Sequence, residues 1–250
     1  MIEKLLEIAE GASERILEVY RCEDFGIRIK ADKSPLTEAD LASQSLIVKE
    51  LENNFSYPVL AEETPVSFEK RKKWSSFWLV DPLDGTKEFI NRNGEFTVNI
   101  ALIRDSIPVA GVIAAPARGL YYFAEQGKGA YRKEPGQEAV KIYNNRKDNN
   151  LIAVESRSHP SPETQKFYDR FDIKEAIKCG SALKFCRLAE GKADVYPRFV
   201  NCWEWDTAAG HCILNEAGCK LTDLKGNEFK YNKENLLNDF FIASRRDLSF

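Results

Sequence analysis

Residues 77–90 read FWLVDPLDGTKEFI. Phe77–Val80 is an aromatic and β-branched apolar run, the composition of a buried strand. It runs directly into two carboxylates, Asp81 and Asp84, with Gly85 behind them. Pro82 carries no backbone donor, which predicts that sheet pairing stops there. Asp84 and Gly85 then turn the chain, and Thr86 to Ile90 can begin a helix. Two carboxylates thus sit at a strand end beside a helix N-terminus, whose free N–H groups favour an anion. Carboxylates and an anion site are compatible if a hard cation neutralises both, and Mg²⁺ takes oxygen ligands, phosphate oxygens among them. Taken alone, the residues also fit an Asp-Gly turn with a capping Asp. Their spacing excludes an EF-hand loop. It also excludes the haloacid-dehalogenase signature, whose aspartates stand one residue apart.

The remaining pattern predicts a layered α and β protein. Ile2, Leu5, Leu6, Ala9, Ala12, Ile16, Leu17 and Tyr20 recur at helical spacing over 2–20. Thr37 reads as the N-cap of a second helix carrying Leu41, Leu46, Ile47, Leu51 and Phe55 inward. Two long helices are therefore expected before any strand. Short apolar runs at 57–61, 77–80, 96–103, 107–114, 120–124 and 130–132 predict a mostly antiparallel sheet, with a hairpin at Arg104–Ile107. The polar run 144–150 (NNRKDNN) predicts a boundary, giving domains 1–148 (α+β) and 149–250 (α/β). After it, strand and helix alternate up to DFFIAS at 239–244.

Composition narrows the function classes. Lys and Arg number 36 and Asp and Glu 39, a net charge of −3. That balance supplies no general field for nucleic acid or an anionic membrane. The six cysteines contain no C-x-x-C pair, and five of them lie in apolar stretches, as free thiols in a reducing compartment would. No window of 18 apolar residues occurs and the N-terminal segment lacks signal-peptide character. A cytoplasmic protein is expected, with peripheral attachment to the cytoplasmic face of the inner membrane left open.

Three further acidic elements accompany 77–90: Asp32–Asp40 (DKSPLTEAD), Ala61-Glu62-Glu63, and Trp203–Gly210 (WEWDTAAG). Singly, each has a plain reading as a cap or a solvated loop. Jointly, D-K-S-P-x-T-x-A-D, x-E-E, W-x-V-D-P-x-D-G-T-x-x-F and W-D-x-A-A-G resemble the inositol monophosphatase superfamily of Mg²⁺-dependent, lithium-sensitive phosphatases. Within it, LDGTKEF, Glu155–His159 (ESRSH), Gly180–Cys186 (GSALKFC) and Asp194–Arg198 (DVYPR) resemble the 3′(2′),5′-bisphosphate nucleotidases. Arg198 stands where inositol phosphatases commonly carry a Glu for inositol hydroxyls; an Arg suits a second phosphate.

The resemblance implies an α-β-α-β-α sandwich of the inositol monophosphatase and fructose-1,6-bisphosphatase type. It implies two or three Mg²⁺ ions held by Glu62, Asp81, the Leu83 carbonyl, Asp84 and Asp206. Thr86, with Asp40 behind it, would be the base. Gly85 and Thr86 would hold the scissile phosphate. Ser156, His159, Gly180, Ser181, Lys184 and Arg198 would contact the nucleotide, with Lys184 and Arg198 on the 5′-phosphate side. Arg157 is a further candidate contact, Lys33 and Glu63 would support the ligands, and His211 reads as structural. Residues 199–204 (FVNCWE) depart from the family's pattern and leave the nucleobase contacts unassigned; Trp203 and Trp205 could pack the core, line the cleft or form an adenine platform. The expected reaction is hydrolysis of adenosine 3′,5′-bisphosphate to AMP and phosphate, with removal of the 3′-phosphate of its sulfated analogue PAPS as an extension. An inositol monophosphatase, a sugar bisphosphatase and a catalytically silent nucleotide-binding protein are the rival readings. Monomer and homodimer both remain open.

Overall fold

The computed structural model describes residues 1–29, 35–148, 150–158 and 161–250. Helices α1 (Ile2–Tyr20) and α2 (Glu38–Asn54) form over the expected stretches. Helix α1 buries a stripe of Leu5, Ile8, Ala9, Ala12 and Ile16. Helix α2 buries Ala39, Asp40, Ser43, Gln44, Ile47 and Leu51, while Leu41, expected inward, is 40% exposed. Its inward face is half polar because Ser43 and Gln44 bond Pro82 and Glu63, and Asp40 bonds Thr37 and Thr86. The helices do not precede every strand. A two-residue pair, β1 (Arg28–Ile29) and β2 (Pro35–Leu36), lies between them.

The first sheet has seven strands in sequential order: β3 (Val59–Ala61), β4 (Ser76–Asp84), β5 (Thr97–Arg104), β6 (Ile107–Ala115), β7 (Leu120–Glu125), β8 (Gly129–Lys133) and β9 (Val140–Ile142). Strands β3 and β4 run parallel and the other neighbours antiparallel, including the expected β5–β6 hairpin. One-turn helices α3 (Phe68–Arg71) and α4 (Thr86–Ile90) flank β4. Pairing does not stop at Pro82, as the sequence suggested. Asp81 faces Asn99 and Asp84 faces Thr97, with a register shift between them. Three steps along β4 match two along β5, so a bulge absorbs the residue that cannot donate.

The second sheet follows. Its span contains β10 (Ile152–Ser156), α5 (Pro162–Arg170), β11 (Glu175–Cys179), α6 (Leu183–Ala189), β12 (Val195–Arg198), β13 (Cys202–Trp203), α7 (Glu204–Glu216), β14 (Cys219–Asp223), β15 (Leu237–Asn238) and β16 (Phe241–Arg245). The order is β11-β10-β12-β16-β14, with β10 parallel to β11 and β12, and β16 antiparallel to β12 and β14. Strand β14 was not expected: its polar Lys220, Thr222 and Asp223 hide a short alternating pattern.

Alternation along the strands sets the layers. Trp78, Val80, Ile100 and Val112 point to α1 and α2. Leu79, Ala101, Ile103 and Ile113 point the other way, into a core shared with Phe185, Ala208, Cys212, Tyr196 and Ala243. Helices α6 and α7 therefore lie between the two sheets. Ala153 and Val195 face Phe167 and Tyr168 of α5 on the far side. The five layers are the expected α-β-α-β-α sandwich. The first sheet lies wholly before residue 148 and the second wholly after it, and the central core draws side chains from both. Cys22 is exposed and the other five cysteines are buried free thiols. Among the described residues, no helix is long and apolar enough to cross a membrane.

Candidate active site

Helix α2 pins the two strand ends that carry acidic residues. Ser43 Oγ donates to the Pro82 carbonyl at 2.7 Å, and Gln44 Oε1 accepts from the Glu63 N–H at 3.0 Å. Glu62 N–H bonds the Val80 carbonyl at 3.2 Å, which ties the ends of β3 and β4 together. Asp206, three residues into α7's capped start, comes from the other half of the chain. These carboxylates feel one another. Burial holds the Asp81 carboxyl well above its ordinary range, and the charges of Glu62, Asp84, Asp206 and Asp40 push it the same way. Burial, then Asp84 and Glu62, push Asp206 up to about 7, against the pull of Arg198 and the Trp203 N–H. Asp84 is raised by burial and Glu88, with Lys184, Arg198 and Asn99 opposing. Among the described residues, no group of three or more Asp, Glu, His or Cys side chains is arranged to hold a metal ion. The cluster is defined by its shared field. Carboxylates that hold one another above their ordinary range are oxygen donors only, the chemistry that suits a hard divalent cation.

Thr86 and Asp40 meet beside it. Asp40 Oδ2 accepts from the Thr37 N–H at 2.7 Å and the Thr37 hydroxyl at 2.6 Å, closing the capping box of α2. Its Oδ1 lies 3.4 Å from Thr86 Oγ1, which is also 3.5 Å from the Leu83 carbonyl. Gly85 precedes Thr86 at φ +87, a conformation glycine adopts without strain. Asp206 repeats the device of Asp40: its Oδ2 accepts from the Trp203 N–H at 2.9 Å.

A cleft of about 480 Å³ opens here. Asp84 and Asp206 line it together with Gly85, Thr86, Ser156, Ser181, Lys184 and Arg198. Asp81 and Leu83 are buried and do not reach its wall. Lys184 is 4% exposed, and its Nζ donates to the Ser181 carbonyl at 2.6 Å. The Arg198 guanidinium donates to Tyr196 Oη and the Val200 carbonyl, both at 3.0 Å, so it braces the end of β12 and the residues after it while facing the cleft. His159 and Lys33 lie outside the described residues.

Gly180 and Arg157 are placed differently from the expectation. The Gly180 N–H donates to Glu95 Oε2 at 2.8 Å, and a Cβ there would stand 2.9 Å from the Glu95 carbonyl oxygen. Arg157 grips the same carboxylate at 2.6 Å and Arg118 at 2.9 Å. Against its burial, these donors hold Glu95 below the usual carboxylate range. The Ser181 hydroxyl adds a bond to the Glu95 carbonyl at 2.5 Å, and Ser158 donates to Glu88. Sequence reasoning noted Glu88 only as part of LDGTKEF and missed Glu95 and Asn99, the last 3.5 Å from Asp84 Oδ2. The one local signal was a polar Asn inside the apolar run 97–103.

The fold and site define a family, and comparison agrees. The sequence model of the inositol monophosphatase family matches residues 1–243, and the chain belongs to that family. It is 41% identical over 248 residues to the 3′(2′),5′-bisphosphate nucleotidase CysQ of Escherichia coli K12, covering 98% of this chain and 99% of that one. The CysQ of Haemophilus influenzae is 33% identical, covering 97% and 91%. The crystal structure of CysQ from Bacteroides thetaiotaomicron, a bacterial member of the family, superposes with a TM-score of 0.89 at 42% identity, covering 98% and 97%.

Proposed function

We propose that this protein is a Mg²⁺-dependent 3′(2′),5′-bisphosphate nucleotidase. It hydrolyses adenosine 3′,5′-bisphosphate to AMP and phosphate, and removes the 3′-phosphate of PAPS by the same chemistry. Near-full-length identity of 41% to a named CysQ nucleotidase supports the reading. The observation that carries it is the pairing, in one cleft, of Asp84 and Asp206 with Lys184 and Arg198. An acidic end suits metal-assisted attack, and a cationic end suits a second phosphate.

Glu62, Asp81, the Leu83 carbonyl, Asp84 and Asp206 would hold two or three Mg²⁺ ions. When bound, such ions acidify an attacking water and neutralise charge on the phosphate. Thr86 Oγ1 takes the water's proton as its own hydroxyl proton passes to Asp40 Oδ1, which it faces at 3.4 Å. The Gly85 and Thr86 N–H groups orient the phosphate for in-line attack. Lys184 Nζ and the Arg198 guanidinium bind the far phosphate, and Ser156 and Ser181 contact the sugar side. Glu95 holds the Gly180–Ser181 turn in place. The reading includes a cytoplasmic location, in keeping with five buried free thiols.

Phosphate release from adenosine 3′,5′-bisphosphate, inositol 1-phosphate and fructose 1,6-bisphosphate, with Mg²⁺ and with EDTA, tests the proposal. The nucleotide should give the highest kcat/KM, and EDTA should abolish turnover. A higher kcat/KM for inositol 1-phosphate overturns the substrate; binding without release in Mg²⁺ overturns the enzyme. Asp84→Asn should lower kcat at least ~10²-fold; near-normal kcat at saturating Mg²⁺ would remove Asp84 from the ligand set.

A further inference from the structure

The cleft wall is almost wholly charged, polar or small, yet a nucleotide brings a flat apolar base into it. Among the described residues, one aromatic ring lines the cleft: Trp203. It is 37% exposed, whereas Trp78 and Trp205 are buried at 0% and 7%. An indole left this open at a site mouth has apolar face still to cover.

Its position is fixed on several sides. The ring stacks on Trp205 at 5.3 Å between centroids with an interplanar angle of 16°. The Trp203 N–H is held by Asp206 at 2.9 Å, and its carbonyl accepts from Asn238 Nδ2 at 2.9 Å. Trp203 also pairs with Leu237 in the β13–β15 ladder. A ring held this way loses little freedom when a second flat ring lies against it. Its backbone bond to Asp206 sets it beside the acidic end, and Lys184 and Arg198 stand in the same wall.

We infer that Trp203 is the stacking platform for the nucleobase and so a specificity-determining residue for nucleotides over base-free phosphates. The inference rests on the nucleotidase reading above and adds the element that this reading lacks. Stacking is tolerant of base identity, because every base presents a π-face. The platform therefore selects for a base without choosing strongly among bases.

The test compares adenosine 3′,5′-bisphosphate with the base-free methyl riboside 3,5-bisphosphate in wild type, Trp203→Ala and Trp203→Phe. Stacking of one base predicts that Trp203→Ala raises KM for the nucleotide roughly tenfold or more beyond its effect on the base-free substrate. Trp203→Phe keeps an aromatic face and should recover most of that difference. Binding of AMP should also quench the intrinsic fluorescence of wild type more than that of Trp203→Phe. Equal losses for both substrates would overturn the inference and make the ring a prop for Asp206. Unchanged KM values in Trp203→Ala would overturn it as well. If wild type turns over the base-free compound and no nucleotide, the nucleotidase reading itself falls and takes the platform with it. If wild type is active on the nucleotide and the variants show no differential, only the platform falls.

Discussion

Thr86 Oγ1 lies 3.4 Å from Asp40 Oδ1, although the two residues are 46 positions apart. The same Asp40 caps α2 through its other oxygen. One carboxylate thus joins the start of a structural helix to the proposed base.

That pairing predicts non-additive kinetics. Thr86→Ala and Asp40→Asn should each lower kcat by ~10²–10⁴, the scale of a positioned acid–base group. The double variant should be hardly worse than the worse single one, because the two act as a unit. Multiplied losses in the double variant would separate the roles. Asp40→Asn should in addition lose about 1 kcal/mol of stability through the weakened cap, seen as a lower denaturation midpoint.

Arg198 both faces the cleft and braces the end of β12 and the residues after it. Arg198→Lys keeps the charge and loses the fork. Its kcat/KM for the bisphosphate should fall at least ~10-fold more than for a nucleoside 3′-monophosphate, the scale of a charged hydrogen bond. Equal losses on both substrates would confine Arg198 to that bracing.

Helix α7 packs on α6 through Gly210. A Cβ there would press on the ring of Phe185 and stand 2.9 Å from its Cβ, near the backbone where the side chain cannot swing away. Helix propensity favours Ala over Gly by about 1 kcal/mol, and overpacking costs about 1–3 kcal/mol. The second effect should win at a contact so close to the backbone. Gly210→Ala should therefore lower Tm by several degrees in calorimetry; an unchanged or raised Tm would contradict the described packing.

His211 is fully buried, with Nδ1 3.1 Å from Tyr231 Oη. Burial, with Lys230 adding to it, lowers its pKa to about 3. A base with a depressed folded pKa stays neutral when folded and gains a proton on unfolding. Its contribution is thus fully present above the unfolded value of about 6.5 and is lost as pH falls towards 3, by up to ~1.4 kcal/mol per pH unit. Urea midpoints of wild type should fall more steeply between pH 6 and 4 than those of His211→Asn, which cannot titrate there. Parallel slopes would show that His211 does not carry this linkage.

The residue pattern by itself determined much of the layering. The spacing of Leu5, Ala9, Ala12 and Ile16 could make only a one-sided helix, and FWLV at 77–80 only a strand buried on both faces. The acidic clusters were equally legible, because a carboxylate at the end of an apolar strand stands out locally. Tertiary structure decided what depends on partners remote in the chain. Pro82 could not show that the sheet would continue through a bulge, since that depended on Thr97 and Asn99 opposite. Asp40, Ser43 and Gln44 lie on a buried face that periodicity assigns to Leu41, because Ser43 and Gln44 bond strand ends and Asp40 meets Thr86, partners that adjoin them only once folded. Glu95 carries no local signal; only the fold brings Arg118, Arg157 and Gly180 around it. For Trp203 and Trp205 the sequence left core, cleft and platform open; only the fold buries Trp205 and leaves Trp203, stacked on it, in the cleft wall. Periodicity is a property of neighbours in sequence, whereas a site is a property of neighbours in space.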